Sequence, residues 1–326
     1  MTDSIQSHDA GMKNNGLRKV SIRGYEIVFI LIGLLVVFTL ASSQFMTSSN
    51  FINLALISAV PAVMALAVLS PLIIGEFDLS VGYSLGFCMM LEAVTAQHTK
   101  SAFLIILVGL VAGLVIGIIN GCLTVFSKIS SFIATLGVGI ILNGGTQGLS
   151  NGAVIYQNIP NAVTKLAIPS FLALTPATWI TIALALVLFY IYEHTPFGRY
   201  WYAIGGSQRV AFLAGIKTVR MRVIAFALGG LLVGVAANFS LAESGSANPS
   251  FGPDLMLPAY AMAFLGVTTF RPGKYNVFGT VAALFLLTIG FNGLSLLGVP
   301  FWIQPIFNGG ALLIAVLVAK KEGRQV

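Results

Sequence analysis

An all-α, polytopic membrane fold is predicted by three observations. Hydrophobic residues make up 57% of the 326-residue chain and charged residues only 8%, too few to keep a soluble domain dispersed. The apolar residues fall in long runs cut by polar, Gly or Pro clusters, and about 20 such residues at 1.5 Å each cross a ~30 Å hydrocarbon core. Threaded as about ten helices, the runs leave 15 of the 17 Lys and Arg residues on one side.

The spans are expected at 25–43, 51–73, 80–97, 102–125, 131–149, 176–193, 222–242, 257–270, 275–293 and 301–319. A polar tail, 1–24, precedes them; it is too long for a signal-peptide n-region, and the run after it is too long for a signal core, so the first run stays as a helix. The transmembrane domain then covers 25–319 with one long loop at 193–222, and a tail at 320–326 follows. With the amino terminus inside, Lys13, Arg18, Lys19, Arg23, Lys128, Arg199, Arg209, Lys217, Arg220, Arg222, Arg271, Lys274, Lys320, Lys321 and Arg324 are cytoplasmic. Only Lys100 and Lys165 are external, and shifting the span count by one destroys this split. Both termini are therefore expected inside. The net charge of +7 sits in short loops facing anionic lipid with no aromatic platform beside it, which argues against nucleic acid.

In a ten-span chain, helices five apart cross in opposite directions, so two five-helix halves of one fold form an inverted repeat. Asn120-Gly121 answers Asn292-Gly293, and Asn143-Gly144-Gly145 answers Asn308-Gly309-Gly310. Within the spans, Gly113, Gly117 and Gly121 form a smooth stripe for a close helix neighbour. Pro61 and Pro71 are expected to break span two, as a kink in a packed helix or as the wall of a translocation path. Asp78 and Ser80 stand where span three begins; either is expected to cap its exposed amides, with ion coupling as the alternative. Glu92, the only carboxylate well inside a span, is either functional or reaches interfacial water.

Cys88 and Cys122 lie in apolar runs and read as reduced core residues. His8, His98 and His194 stand apart from one another and from acidic clusters, so no catalytic or metal-ligand constellation is expected. The segment Gly266 to Lys274 fails G-x-x-x-x-G-K-[ST], because Thr268 stands where the first glycine belongs and Tyr275 follows the lysine. The chain shows no means of hydrolysing ATP, and neither an enzyme nor a bound cofactor is expected.

In the long loop, Ser207 is a good N-cap, Gln208 to Ala214 is helix-compatible and Gly215 is a good left-handed stop. A short helix projecting there serves either to dock a partner or to lie on lipid.

The run Thr195-Pro196-Phe197-Gly198-Arg199-Tyr200-Trp201-Tyr202-Ala203-Ile204-Gly205-Gly206, with Ala214-Gly215-Ile216, resembles the cytoplasmic loop of ribose-type sugar permeases of bacterial ABC importers. Phe77-Asp78-Leu79-Ser80-Val81-Gly82, Phe132-Ile133-Ala134-Thr135-Leu136-Gly137 and Asn292-Gly293-Leu294 with Leu297-Gly298-Val299-Pro300 carry the same resemblance in the same order. It implies an inner-membrane permease subunit paired with a second copy as homodimer or heterodimer. It also implies an ABC ATPase subunit that binds ATP and Mg, and a periplasmic or extracellular sugar-binding protein. A coupling role then falls on Gly198, Arg199, Gly205, Gly206, Ser207, Arg209 and Gly215. Two departures stand out: Glu76 replaces a glycine usual in the family, and 257–274 lacks the usual paired glycines, so ribose itself does not follow.

The resulting reading is a permease for a monosaccharide or related polyol, with Asn53, Pro61, Asp78, Asn143, Asn292 and Asn308 as pathway candidates. The Asn residues serve equally well as helix-packing donors. The competing reading is an ion-coupled secondary transporter of a small polar solute, which ordinarily needs several deep ionisable groups.

Overall fold

The computed structural model describes residues 25–127 and 129–321; the expected basic positions in 1–24, Lys128 and Arg324 lie outside the described residues. Its α-helices are α1 (Glu26–Ala41), α2 (Ser48–Ile73), α3 (Val81–His98), α4 (Ala102–Phe126), α5 (Ser131–Ser150), α6 (Asn161–Thr164), α7 (Pro176–His194), α8 (Pro196–Gly206), α9 (Gln208–Leu213), α10 (Thr218–Ser244), α11 (Pro253–Gly266), α12 (Val277–Leu296) and α13 (Ile303–Lys321). No strand occurs among the described residues beyond two isolated bridges. The protein is thus a polytopic helical membrane protein: α2, α4, α5, α7, α10 and α12 are long and apolar enough to cross a bilayer.

Helix starts follow local chemistry. Thr47, Ser101, Ser130, Thr175, Ser207 and Asn276 each accept a hydrogen bond from the amide three residues on. Pro176, Pro196 and Pro253 occupy the first turns of their helices, where a missing N–H costs nothing.

The buried centre is built from α2, α3, α10 and α11, with α10 packed most extensively on α4. The glycine stripe explains that packing. A Cβ on Gly113 would lie 2.3 Å from the Gly230 carbonyl, and one on Gly117 2.3 Å from the Phe226 carbonyl. Gly230 and Gly234 answer from α10, so backbone meets backbone along the seam.

α2 is not broken at its prolines; it runs unbroken from Ser48 to Ile73. Each ring still leaves the carbonyl four residues earlier without its helical donor. For Pro71 that carbonyl belongs to Ala67, and Gly229 of α10 packs directly against it. The second long buried helix therefore fits the irregularity in the first.

α11 begins at Pro253 and ends at Gly266, earlier than the expected 257–270, because Pro253 starts the helix and the chain turns through Phe270 and Gly273 at positive φ. Fourteen residues span about 21 Å, short of the ~30 Å bilayer core. Phe251 and Gly252 lie against Gly82 and Gly86 of α3, where a Cβ on Gly86 would sit 2.4 Å from the Phe251 carbonyl. The loop backbone before α11 is thereby packed directly on the backbone of α3. Asn276 pins the following turn by donating to the carbonyls of Gly266, Thr269 and Lys274.

Candidate functional site

One end of the bundle gathers 74–80, 193–218 and 266–277. Here α8 is a helix the sequence reading left within the loop. Its start is tight: a Cβ on Gly198 would fall 1.9 Å from the Tyr192 carbonyl, so glycine allows α7 to reverse directly into α8. Trp201 and Ile204 are buried beneath it. The Trp201 indole N–H donates to the Met221 carbonyl at 3.0 Å, and the Tyr202 hydroxyl to the Tyr275 carbonyl at 2.6 Å. The helix is thereby fixed to α10 and to the α11–α12 turn. Its last turn rests on α2, where a Cβ on Gly205 would lie 2.0 Å from the Ile73 carbonyl.

Ser207 caps α9 through Val210 N–H at 3.4 Å. Gly215, at φ +83°, ends it, with its own amide on Phe212 and that of Ile216 on Ala211, a Schellman motif. Ala211 is buried, whereas Val210, Phe212 and Leu213 are 64%, 66% and 75% exposed. Arg199 in the first turn of α8 and Arg209 in α9 are exposed as well. A rigidly seated platform thus presents apolar side chains and cations away from the bundle.

The platform meets loop 74–80. Gly75, at φ +81°, and Glu76 close α2 with a second Schellman motif on Leu72 and Pro71. Ser131 and Thr135 of α5 accept from the amides of Phe77 and Leu79, and Tyr260 of α11 from that of Asp78. The buried Asp78 carboxylate accepts from the Ser80 amide at 3.0 Å, the Ser80 hydroxyl at 2.6 Å and Asn120 of α4. This differs from the expected capping. Ser80 makes no side-chain cap bond, and Asp78 turns back on Ser80 and Asn120 instead of reaching the free amides of α3. Glu76 pairs with Arg222, and Glu193 with Arg271.

Beside α2, α11, α12 and α13 lies a groove of about 560 Å³. It brings together Pro61 and Asn308 of the expected pathway set with Thr288, Gln304 and Asp254. Pro61 leaves the Ile57 carbonyl without its helical donor, and Pro258 does the same to the Asp254 carbonyl; all four residues line this groove. None of its lining residues is basic. Asn292 lies elsewhere, in a reciprocal pair with Asn50 at 3.1 and 3.0 Å that locks α12 to α2. Asn53 and Asn143 are exposed on their helices, and Asp78 belongs to the loop network.

Glu92 does not reach interfacial water. It is 0% exposed, neither carboxyl oxygen has a hydrogen-bond partner, and it presses on Gly109 of α4. Cys88 and Cys122 are free thiols. The Glu76–Arg222 pair and the Ser131, Thr135 and Tyr260 contacts have no signal in local sequence, since their partners are 54 to 182 residues apart. The helix α8 did have one: Pro196 followed by Trp201 and Ile204 at helical spacing.

No solved structure matches the chain. It is 31% identical over 298 residues to the ribose import permease of Escherichia coli (strain K12), covering 90% of this chain and 93% of that protein. To the ribose import permease of Bacillus subtilis (strain 168) it is 32% identical, covering 90% and 91%. To the autoinducer 2 import system permease of Salmonella paratyphi B it is 31% identical, covering 74% and 70%. Residues 50–317 match the family model described as the permease component of the branched-chain amino acid transport system. The chain belongs to that family of membrane-transport permeases.

Proposed function

We propose that this chain is the permease subunit of an ATP-driven importer of a monosaccharide or related polyol in the bacterial inner membrane. It works with a second permease copy, an ATPase subunit that binds ATP and Mg, and a binding protein outside. The observation that carries the reading is α9: a helix capped at both ends, held by α8, that turns Val210, Phe212 and Leu213 out of the bundle, with Arg199 and Arg209 exposed as well. Exposed apolar side chains accompanied by cations fit a protein cleft better than bulk solvent. In this reading ten helices cross the membrane with both termini inside, and the α8–α9 platform is cytoplasmic. Gly198, Gly205 and Gly215 give the platform its tight turns and close seats, and Gly206 ends α8.

The groove supports the solute class. The family description speaks of branched-chain amino acids, whereas the relatives named above import ribose and autoinducer 2. No lining residue of the groove is basic, so it offers no cationic side chain to pair with an amino acid's carboxylate. The Ile57 and Asp254 carbonyls, which lack their helical donors, with Gln304, Asn308 and Thr288 instead offer acceptors for hydroxyl groups. Apolar lining from α11 and α12 accompanies them, as suits the carbon face of a sugar ring.

The test is uptake by proteoliposomes holding the permease, ATPase and binding protein. Ribose, allose and leucine would be compared with ATP inside and with ATP withheld. ATP-dependent accumulation of a sugar is expected. Uptake that persists without ATP and collapses with an ionophore would establish ion coupling instead, and leucine uptake alone would refute the solute class.

A further inference from the structure

The α8–α10 segment meets the end of α2 and the loop after it through Gly205 and through Arg222. Between the α2 end and loop on one side, and the 204–208 turn and the 273–275 turn on the other, lies a cavity of about 810 Å³. Across it Gly205 touches Ile73, a contact that can push and cannot pull. Beside it Arg222 grips Glu76, an ion pair with side chains only 11% and 16% exposed. Arg222 immediately follows Met221, whose carbonyl receives the Trp201 indole. The platform, the start of α10 and Glu76 therefore form one linked series.

Beyond Glu76 the loop is tied by hydrogen bonds to three further helices: α5 through Ser131 and Thr135, α11 through Tyr260, and α4 through Asp78 and Asn120. It also continues directly into α3. A displacement of Glu76 thus reaches α3, α4, α5 and α11 together, including the short helix that borders the solute groove.

We propose that the Glu76–Arg222 ion pair is the tension-bearing joint between the cytoplasmic platform and the membrane bundle. Both are positioning residues, acting through loop 74–80. The pair returns the loop when the platform retreats, while the Gly205 contact drives it when the platform advances. Rigid, packed elements with discrete arrangements can carry such a displacement across a bundle. A half-buried ion pair suits the task, because removing one partner leaves the other charge without compensation.

This inference rests on the proposed ATP-driven reading, and the experiment separates the two. Proteoliposomes of the whole complex would be supplied with labelled ribose or allose, whichever the wild type imports faster, and scored as sugar moved per ATP hydrolysed. Glu76→Gln and Arg222→Gln should each lower that ratio about tenfold, within the usual span of coupling between distant sites. The charge exchange Glu76→Arg with Arg222→Glu should restore it to within about threefold, since neighbouring partners are non-additive. Singles that keep the wild-type ratio would overturn the joint. So would an exchange no better than either single, or uptake that falls only in step with the ATPase copurifying with the permease. A wild type that imports neither sugar at the expense of ATP would instead overturn the proposed function.

Discussion

Replacing Gly205 with alanine tests the contact between platform and bundle, and Gly206 supplies its own comparison one residue away. A Cβ at 205 would stand 2.0 Å from the Ile73 carbonyl, whereas at 206 nothing lies within 4 Å. The obstructing atom is backbone at the end of α2, so it cannot rotate aside. The last turn of α8 must retreat by about 1.4 Å before carbon and oxygen reach an ordinary separation. Overpacking of this kind costs about 1–3 kcal/mol. The gain in helix propensity from Gly to Ala, about 0.8–1 kcal/mol, is common to both variants and cancels in their comparison. Thermal unfolding of the purified permease, followed by the fraction remaining monodisperse after heating, should place Gly205→Ala a few °C below Gly206→Ala, at ~2–4 °C per kcal/mol. In the assembled complex Gly205→Ala should also lower sugar moved per ATP by about fivefold or more, since the push on Ile73 is displaced. If the two alanines melt together and Gly205→Ala transports like wild type, the seating of α8 on α2 is irrelevant to both fold and coupling.

Three further outcomes are expected. Phe212→Asp with Leu213→Asp should reduce copurification of the ATPase by about tenfold or more, in line with a lost interface hot spot, while the permease melts as before, because both side chains are more than 60% exposed. Glu92→Gln should leave abundance and uptake within about twofold, since a neutral isostere relieves a carboxyl whose oxygens have no partner, whereas Glu92→Lys should abolish accumulation in the membrane. Asn50→Ala and Asn292→Ala should each cost about 1–3 kcal/mol, and the double variant should cost clearly less than their sum, measured by thermal unfolding.

Hydropathy alone located the long helices well. The expected 102–125, 131–149 and 176–193 became Ala102–Phe126, Ser131–Ser150 and Pro176–His194, because an unbroken apolar run is bounded by Ser or Thr caps at its start. The Ser207 cap and the Gly215 stop were equally legible, since both act on their own few residues. α8 was obscured by its composition: glycines and aromatics that pack against α10 and α2 look like loop when read in isolation. Position in sequence also misjudged depth. Glu92 stands near the end of an apolar run yet is enclosed, because Gly109 removes a side chain where its carboxyl lies. The pathway candidates divided for the same reason. Asn308 and Asn292 look alike in sequence, but one borders the groove and the other spends its amide on Asn50.

The glycine seam between α4 and α10 has a consequence for how the protein is made. The two helices are separated by about ninety residues of chain, about 5–20 s of synthesis. Until α10 is made, the backbone groove along Gly109, Gly113 and Gly117 of α4 lacks the helix that fills it in the finished bundle. A nascent helix with small residues at the same spacing could occupy the groove first. Gly230 and Gly234 of α10 stand in register with Gly113 and Gly109, so the seam closes only once the later helix has been made, and its fit requires small residues on both helices.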